Sequence, residues 1–463
     1  MDLFRKKDIV HSADNESHLA KCLTAFDLTL LGIGAIIGAG IFILTGIVAA
    51  TQAGPAIVFS YIVAGFACAF AALSYAELSA SIGGCGSAYG YAYAGFGELL
   101  AWIVGWDLLL EYSISVSAVS VGWSSYANDF LTSLKVHIPT AFLHGPLDGG
   151  LLNALSFSII AALTVLLIIG VKSSTRFNNA MVLIKLTVIF IFIAIASSEV
   201  RVENWSSFMP FGWAGVMKGA SLIFFAYVGF DAVSTAAEEA INPQRDLPIG
   251  IIGSLLICTV IYIVVAGLLT GIAHYSTLNV ASPISHSLLV LGYKVAAGLV
   301  GVGAIAGLTT VMLVLFYGLT RVFLAMARDG LLPQYFAKTS DTTKTPVRII
   351  LICGTLMASL SAMVPISDLA ELVNIGTLFA FIIVCAGVLY LRYAKPEMPR
   401  PFRTPGLPFV PVLGILSCSY LIANLPWITM VRFVVWMAVG IVVYFFYSRT
   451  NSNLSTHKVL VTE

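Results

Sequence analysis

Four ionisable residues fall inside long apolar runs: Asp107, Glu111, Lys185 and Asp231. A charge at membrane depth is costly unless it is paired or solvated, so each is a candidate for function. Asp107 and Glu111 are four residues apart and share one helix face. Glu111 reads as a carboxylate lining a pocket or water cavity. Asp107 has two readings, the same cavity or a solvated place in an aromatic belt made by Trp102 and Trp106. Lys185 is the single cation in the run from Met181 to Phe190. Stripping water from an amine favours its neutral form, so a buried lysine can exchange a proton near neutral pH, which suits proton coupling. The alternative is that its long stem snorkels about two turns to the interface. All seven histidines lie in expected tails or loops, which argues against a buried histidine relay. Glu77, Glu98, Glu238 and Glu239 lie near span ends and are assigned no chemistry.

The main chain carries a second kind of chemistry. Gly32, Gly34, Gly38 and Gly40 lie within eleven residues, Gly32 to Phe42, in the middle of the first apolar run. Each glycine costs a helix interior roughly 1 kcal/mol against alanine, so this stretch predicts a broken helix. In hydrocarbon, bare N–H and C=O groups are tolerated only inside protein or facing a polar ligand. If Gly38, Ala39 and Gly40 start a second half-helix, their N–H groups suit a carboxylate, while the carbonyls of Ile36 and Ile37 suit an ammonium. Close helix packing through small residues is the alternative. A second stretch, Phe224 to Asp231, combines aromatics, Gly229 and an acid in mid-span, and predicts a second break.

The elements that must hold these residues are membrane helices. Of 463 residues, 59% are hydrophobic and 10% charged, against about 25% charged in soluble domains. The runs are long enough to cross a ~30 Å core and lack the short alternation of a barrel. Twelve spans are expected, at about 26–50, 55–80, 96–128, 152–170, 179–198, 214–240, 248–273, 290–327, 347–364, 369–393, 407–425 and 429–447. With this count, eighteen Lys and Arg fall on the side of both termini and five on the other. Both termini are therefore expected in the cytoplasm. Met1 to Lys21 is polar, so no cleaved signal peptide is expected. Loops 131–150 and 274–292 would be external, and Pro399 to Pro405, too proline-rich for helix, would be a cytoplasmic linker. The two breaks lie five spans apart, an odd offset that inverts topology. Spans one to five and six to ten could thus be inverted repeats whose broken helices meet at the midplane. The seven cysteines show no metal-ligand spacing, a net charge of +1 gives no reason to expect a nucleic-acid partner, and no cofactor is expected.

Several motifs occur together: Gly32 to Phe42, Tyr75-Ala-Glu-Leu78, Gly105-Trp-Asp-Leu-Leu-Leu-Glu-Tyr112, Phe224 to Asp231, Arg321 to Gly330 and Pro401-Phe-Arg-Thr-Pro405. In these the chain resembles the amino acid–polyamine–organocation superfamily, and within it the cationic amino acid transporter family in its bacterial, twelve-span form. The resemblance implies an all-α membrane protein with the LeuT-type 5+5 inverted repeat, two additional C-terminal helices and alternating access. It implies substrate carboxylate binding at Gly38, Ala39 and Gly40 and amine binding at the carbonyls of Ile36, Phe225, Ala226 and Val228. By the same resemblance Phe225 is the gate, Lys185 is associated with proton coupling, Glu111 and Asp231 line the pocket, and Met312 lies near a specificity position; Lys185, Glu111 and Asp231 are together the residues expected to carry proton coupling. Two positions depart from the family. Residue 39 is alanine where members often carry a hydroxyl, and Met312 is bulky and apolar, so a neutral substrate is as well accommodated as a cationic one.

The resulting expectation is a proton-coupled importer of small neutral or cationic amino acids in a plasma or bacterial inner membrane. The alternative is a proton-independent exchanger of amino acids or polyamines. Its parts would be a tail (1–25), two repeats (26–200 and 214–393), two peripheral helices (407–447) and a second tail (448–463). Its partners would be the amino acid, the proton and membrane lipid, and the sequence leaves a small regulatory membrane subunit open. No nucleophile–His–Asp set, metal cluster or phosphate loop points to an enzyme.

Overall fold

The protein is described by a computed structural model covering residues 5, 23–82, 87–169, 175–280, 282–340 and 345–455. Most of the expected N-terminal tail and half of the expected C-terminal tail, with Lys172, Cys22 and Cys85, lie outside the described residues. The described chain is helical, with one isolated bridge from Leu23 to Ala240 as its only extended pairing. In order the helices are α1 (Ala25–Ile36), α2 (Thr45–Val48), α3 (Ile57–Ile82), α4 (Ser87–Gly95), α5 (Glu98–Ser133), α6 (Ala154–Ile169), α7 (Thr175–Ser198) and α8 (Gly212–Ile223). They continue with α9 (Pro243–Ile272), α10 (Pro283–Val290), α11 (Lys294–Arg328), α12 (Val347–Met363), α13 (Ile366–Ala394), α14 (Phe409–Ala423), α15 (Trp427–Val443) and α16 (Arg449–Asn451). Eight helical segments of the described chain are long and apolar enough to cross a membrane, and α1, α6, α12 and α14 are shorter apolar helices.

Local chemistry explains the boundaries that matter. Thr24 and Asp27 form a reciprocal cap on α1: the Asp27 N–H donates to Thr24 Oγ1 (3.3 Å) and the Thr24 N–H donates to Asp27 Oδ2 (3.1 Å). Pro243 opens α9 at a position where its missing N–H costs nothing. Loop 274–292 is not a plain loop, since it carries α10 and a short 3₁₀ turn.

The core is one large apolar cluster, with a small second one at Ile375, Leu425 and Phe433. Within it α5 lies along α11 and α13, α9 lies along α1 and α3, and α7 packs on α11 and α1. Trp102 and Trp106 do not form a solvated belt. They stack in series with Trp436 (ring centroids 5.5 and 4.6 Å), and the Trp102 indole donates to the Gly440 carbonyl (2.8 Å), which fastens α15 to α5. The linker before α14 is anchored as well. Glu77 on α3 accepts both N–H groups of the Arg392 fork (2.6 and 2.8 Å) and the Thr404 amide (2.8 Å). Glu77, near the end of α3, is therefore both buried and paired.

Candidate functional site

Both expected breaks are present. α1 stops at Ile36, Ile37 is extended (ψ 98°), and winding resumes at Ala39 and Gly40 as a wide, π-type turn. In the second, α8 passes into a 3₁₀ turn, Phe224–Tyr227. Val228 is then extended (ψ 131°), Gly229 takes φ +121°, and a ten-residue 3₁₀ segment, Phe230–Glu239, follows. The two breaks touch. A Cβ on Gly40 would collide with the Ala226 backbone, and one on Gly229 would lie 2.9 Å from the Ala35 carbonyl oxygen. Only glycine allows this approach at both positions.

Between the breaks lies a cavity of about 10 Å³ lined by Ala35, Ile36, Gly38, Ala39, Gly40, Ser115, Val119, Phe225, Val228, Val311 and Leu315. That volume holds about one water. Six of the expected substrate-site residues therefore meet: Ile36, Gly38, Ala39, Gly40, Phe225 and Val228. Five do not line it. Ile37 and Ala226 are buried immediately behind the wall, and Glu111 and Asp231 lie elsewhere in the core. Met312 is buried away from the cavity lining, and its neighbour Val311 is the residue that faces Gly38, where a Cβ would lie 3.5 Å from a Val311 methyl. One residue along a helix is a turn of about 100°, enough to move a side chain off the cavity.

The carbonyls at the end of α1 already carry partners. The Lys185 ammonium donates to the Gly34 (2.7 Å) and Ile37 (3.3 Å) carbonyl oxygens. It is fully buried rather than snorkelling, and its stem runs against Gly307. A cation on the orphan carbonyls of a helix C-terminus is favourably placed, so Lys185 caps the first half-helix. The Tyr262 hydroxyl lies 2.9 Å from the Ile36 and 2.8 Å from the Ala226 carbonyl oxygen, bridging the two breaks. Around it, Tyr61 and Tyr227 pack ring to ring (5.2 and 5.4 Å from Tyr262), and Thr45 joins the Tyr61 hydroxyl (2.7 Å) to the Gly40 carbonyl (3.1 Å). Sequence reasoning missed Tyr262, because a tyrosine in the run Ile261-Tyr-Ile263 reads as core.

The acidic residues form a group of their own. Asp231 accepts the Tyr112 hydroxyl (3.0 Å). Glu111 lies beside the Thr377 hydroxyl and within electrostatic reach of Asp231 and Asp107. All three carboxyl groups are buried.

A helical membrane protein whose two interrupted helices face one another across a small cavity has the architecture of a transporter of small polar molecules. The sequence narrows the class: residues 23–457 match the amino acid permease family profile, and the chain belongs to that family. It is 50% identical over 461 residues to a branched-chain amino acid permease of Bacillus subtilis, covering 98% of this chain and 99% of the other. It is 49% identical over 457 residues to a methylthioribose transporter of Bacillus subtilis, with the same coverage. A human cationic amino acid transporter, number 4, is 37% identical over 396 residues, 83% of this chain and 62% of its own length. The chain is thus an integral membrane transporter.

Proposed function

We propose that the protein carries small neutral, aliphatic amino acids across the membrane by alternating access, coupled to protons. The observation that carries this reading is the composition of the cavity wall. Main-chain N–H groups at Gly38 to Gly40 suit the substrate carboxylate, and carbonyls at Ile36 and Val228 suit its ammonium. Of the side chains that remain, Val119, Val311, Leu315 and Phe225 are apolar, and Ser115 adds a single uncharged hydroxyl. A cationic side chain would be left there without a partner, at a cost of several kcal/mol. The branched-chain amino acid permease relative supports the aliphatic reading. The methylthioribose relative supports a second, since a thioether methyl group also suits an apolar wall.

Lys185 is the coupling residue in this reading. Protonated, it holds the Gly34 and Ile37 carbonyls and so the end of the first half-helix; deprotonated, it loosens that end. Phe225 is the gate. The two breaks belong to inverted five-helix repeats (26–200 and 214–393) of a twelve-span, LeuT-type fold with two peripheral helices, and both termini face the cytoplasm of a bacterial inner membrane.

Uptake of labelled leucine into proteoliposomes, competed by valine, arginine and methylthioribose, tests the substrate. Leucine and valine should compete and arginine should not; competition by methylthioribose alone would establish the second reading. Under an imposed pH gradient, wild type should be stimulated and Lys185→Ala should not. A Lys185→Ala response equal to wild type would remove the coupling assignment. Counterflow that needs internal substrate and ignores pH would favour an exchanger.

A further inference from the structure

Along one face of α5 the residues Asp107, Glu111, Ser115 and Val119 recur at four-residue spacing, each step about 6 Å along the axis. The last two line the substrate cavity. The first two run from it into the core, where their polar atoms lack partners: Asp107 Oδ1 and Oδ2, Glu111 Oε1 and Ser115 Oγ make no hydrogen bond. The Tyr75 hydroxyl, fully buried within electrostatic reach of Glu111 and Asp231, is likewise unpartnered.

The surroundings supply no positive charge. From α13, Gly376 presses on Asp107, and a Cβ there would lie 2.8 Å from Oδ1. Asn374 on the same helix spends its N–H groups on the Ser221 and Leu222 carbonyls (2.7 and 3.0 Å). The titratable groups facing the pair are Asp231 beyond Glu111, Tyr112 on α5 and Tyr75 on α3. The ion pairs found among the described residues use Glu77, Asp148 and Asp368. The Lys185 ammonium is held by α1 carbonyls. Nor do three carboxylates converge as a metal site among the described residues.

A bare carboxylate in such a place costs too much to persist, whereas a carboxylic acid does not. We propose that Asp107 and Glu111 form a proton-binding site on α5, separate from Lys185, in which Asp107 carries the proton and Ser115 connects the site to the substrate cavity. This deepens the proton-coupled reading, but the proton on Asp107 is detectable without any transport.

Infrared spectroscopy of the reconstituted transporter at neutral pH is the test. A carboxylic acid C=O band is expected that moves on isotopic labelling of aspartate and disappears in the isosteric Asp107→Asn. The labelled wild-type chain keeps the aspartate assignment testable if the variant folds poorly. Absence of an aspartate-derived acid band would overturn the proposal, as would a band that survives Asp107→Asn and is lost in Asp231→Asn. In proteoliposomes, Asp107→Asn should still bind substrate and lose part of its stimulation by an imposed pH gradient. If Lys185→Ala keeps its coupling while the band is present, the Lys185 assignment fails and this one stands.

Discussion

Gly229 shows how one residue sets the site. Its φ of +121° lies where side chains are rarely tolerated, and the space a Cβ would need is taken by the Ala35 carbonyl. Gly229→Ala should cost about 1–3 kcal/mol in stability and push the two breaks apart. The check is the thermal midpoint together with the transport rate. A variant that melts and transports like wild type would show that the close approach is dispensable. This glycine was legible in the sequence because it stands beside an acid in an apolar run, and the same logic located Gly38 and Gly40. Residues that act through a single hydroxyl or a single turn were not legible. Tyr262 has no local signature, and Val311 differs from Met312 only by a rotation that spacing alone cannot set. Asp107 was readable as ionisable but not as buried, since its neighbouring tryptophans look the same in a lipid interface as they do when stacked on α15.

At the scale of elements, Glu77 joins three parts of the chain that are far apart in sequence. Its carboxylate takes the fork of Arg392 at the end of α13 and the amide of Thr404 in the linker, with the Arg400 Nε 3.4 Å away. Arg400 in turn donates to the carbonyls of Leu391 and Lys395 (2.8 Å each), closing the C-terminus of α13. The linker is therefore a fixed elbow that positions α14, not a free tether. Glu77→Gln leaves a largely buried guanidinium without its counter-charge, which should cost about 3–5 kcal/mol. A double-mutant cycle with Arg392→Gln isolates the pair: non-additive losses are expected, and additive ones would mean that the pair is not coupled. The two motifs that meet here were visible in the sequence, and their contact was not, because nothing local links residues more than 300 apart. The helices themselves were legible from hydropathy. Their 3₁₀ and π-type windings were not, because the broken segments pack on each other and on α9, contacts that no local propensity encodes.

For the whole molecule, the decisive quantity is the size of the cavity. A space of about 10 Å³ cannot seat an amino acid, so on the proposed reading binding must part the broken segments from the α5 and α11 wall. Those two sides differ in kind. The wall helices are long and continuous, with α5 spanning 36 residues and α11 35, whereas the segments facing them change winding within a few residues of the cavity. Motion should therefore concentrate in the broken pair, with the Tyr262 bridge and the Lys185 cap as the contacts that must give. A substrate that binds the folded state stabilises it by about 2.7 kcal/mol at a hundred times its Kd. Leucine or valine should accordingly raise the thermal midpoint, and arginine should leave it unchanged. Val311→Trp fills the space against Gly38 and should abolish the leucine shift while the protein without substrate still melts cooperatively. If Val311→Trp kept the full leucine shift, the substrate would have to lie away from Gly38, and the cavity between the two breaks would not be where this permease holds its cargo.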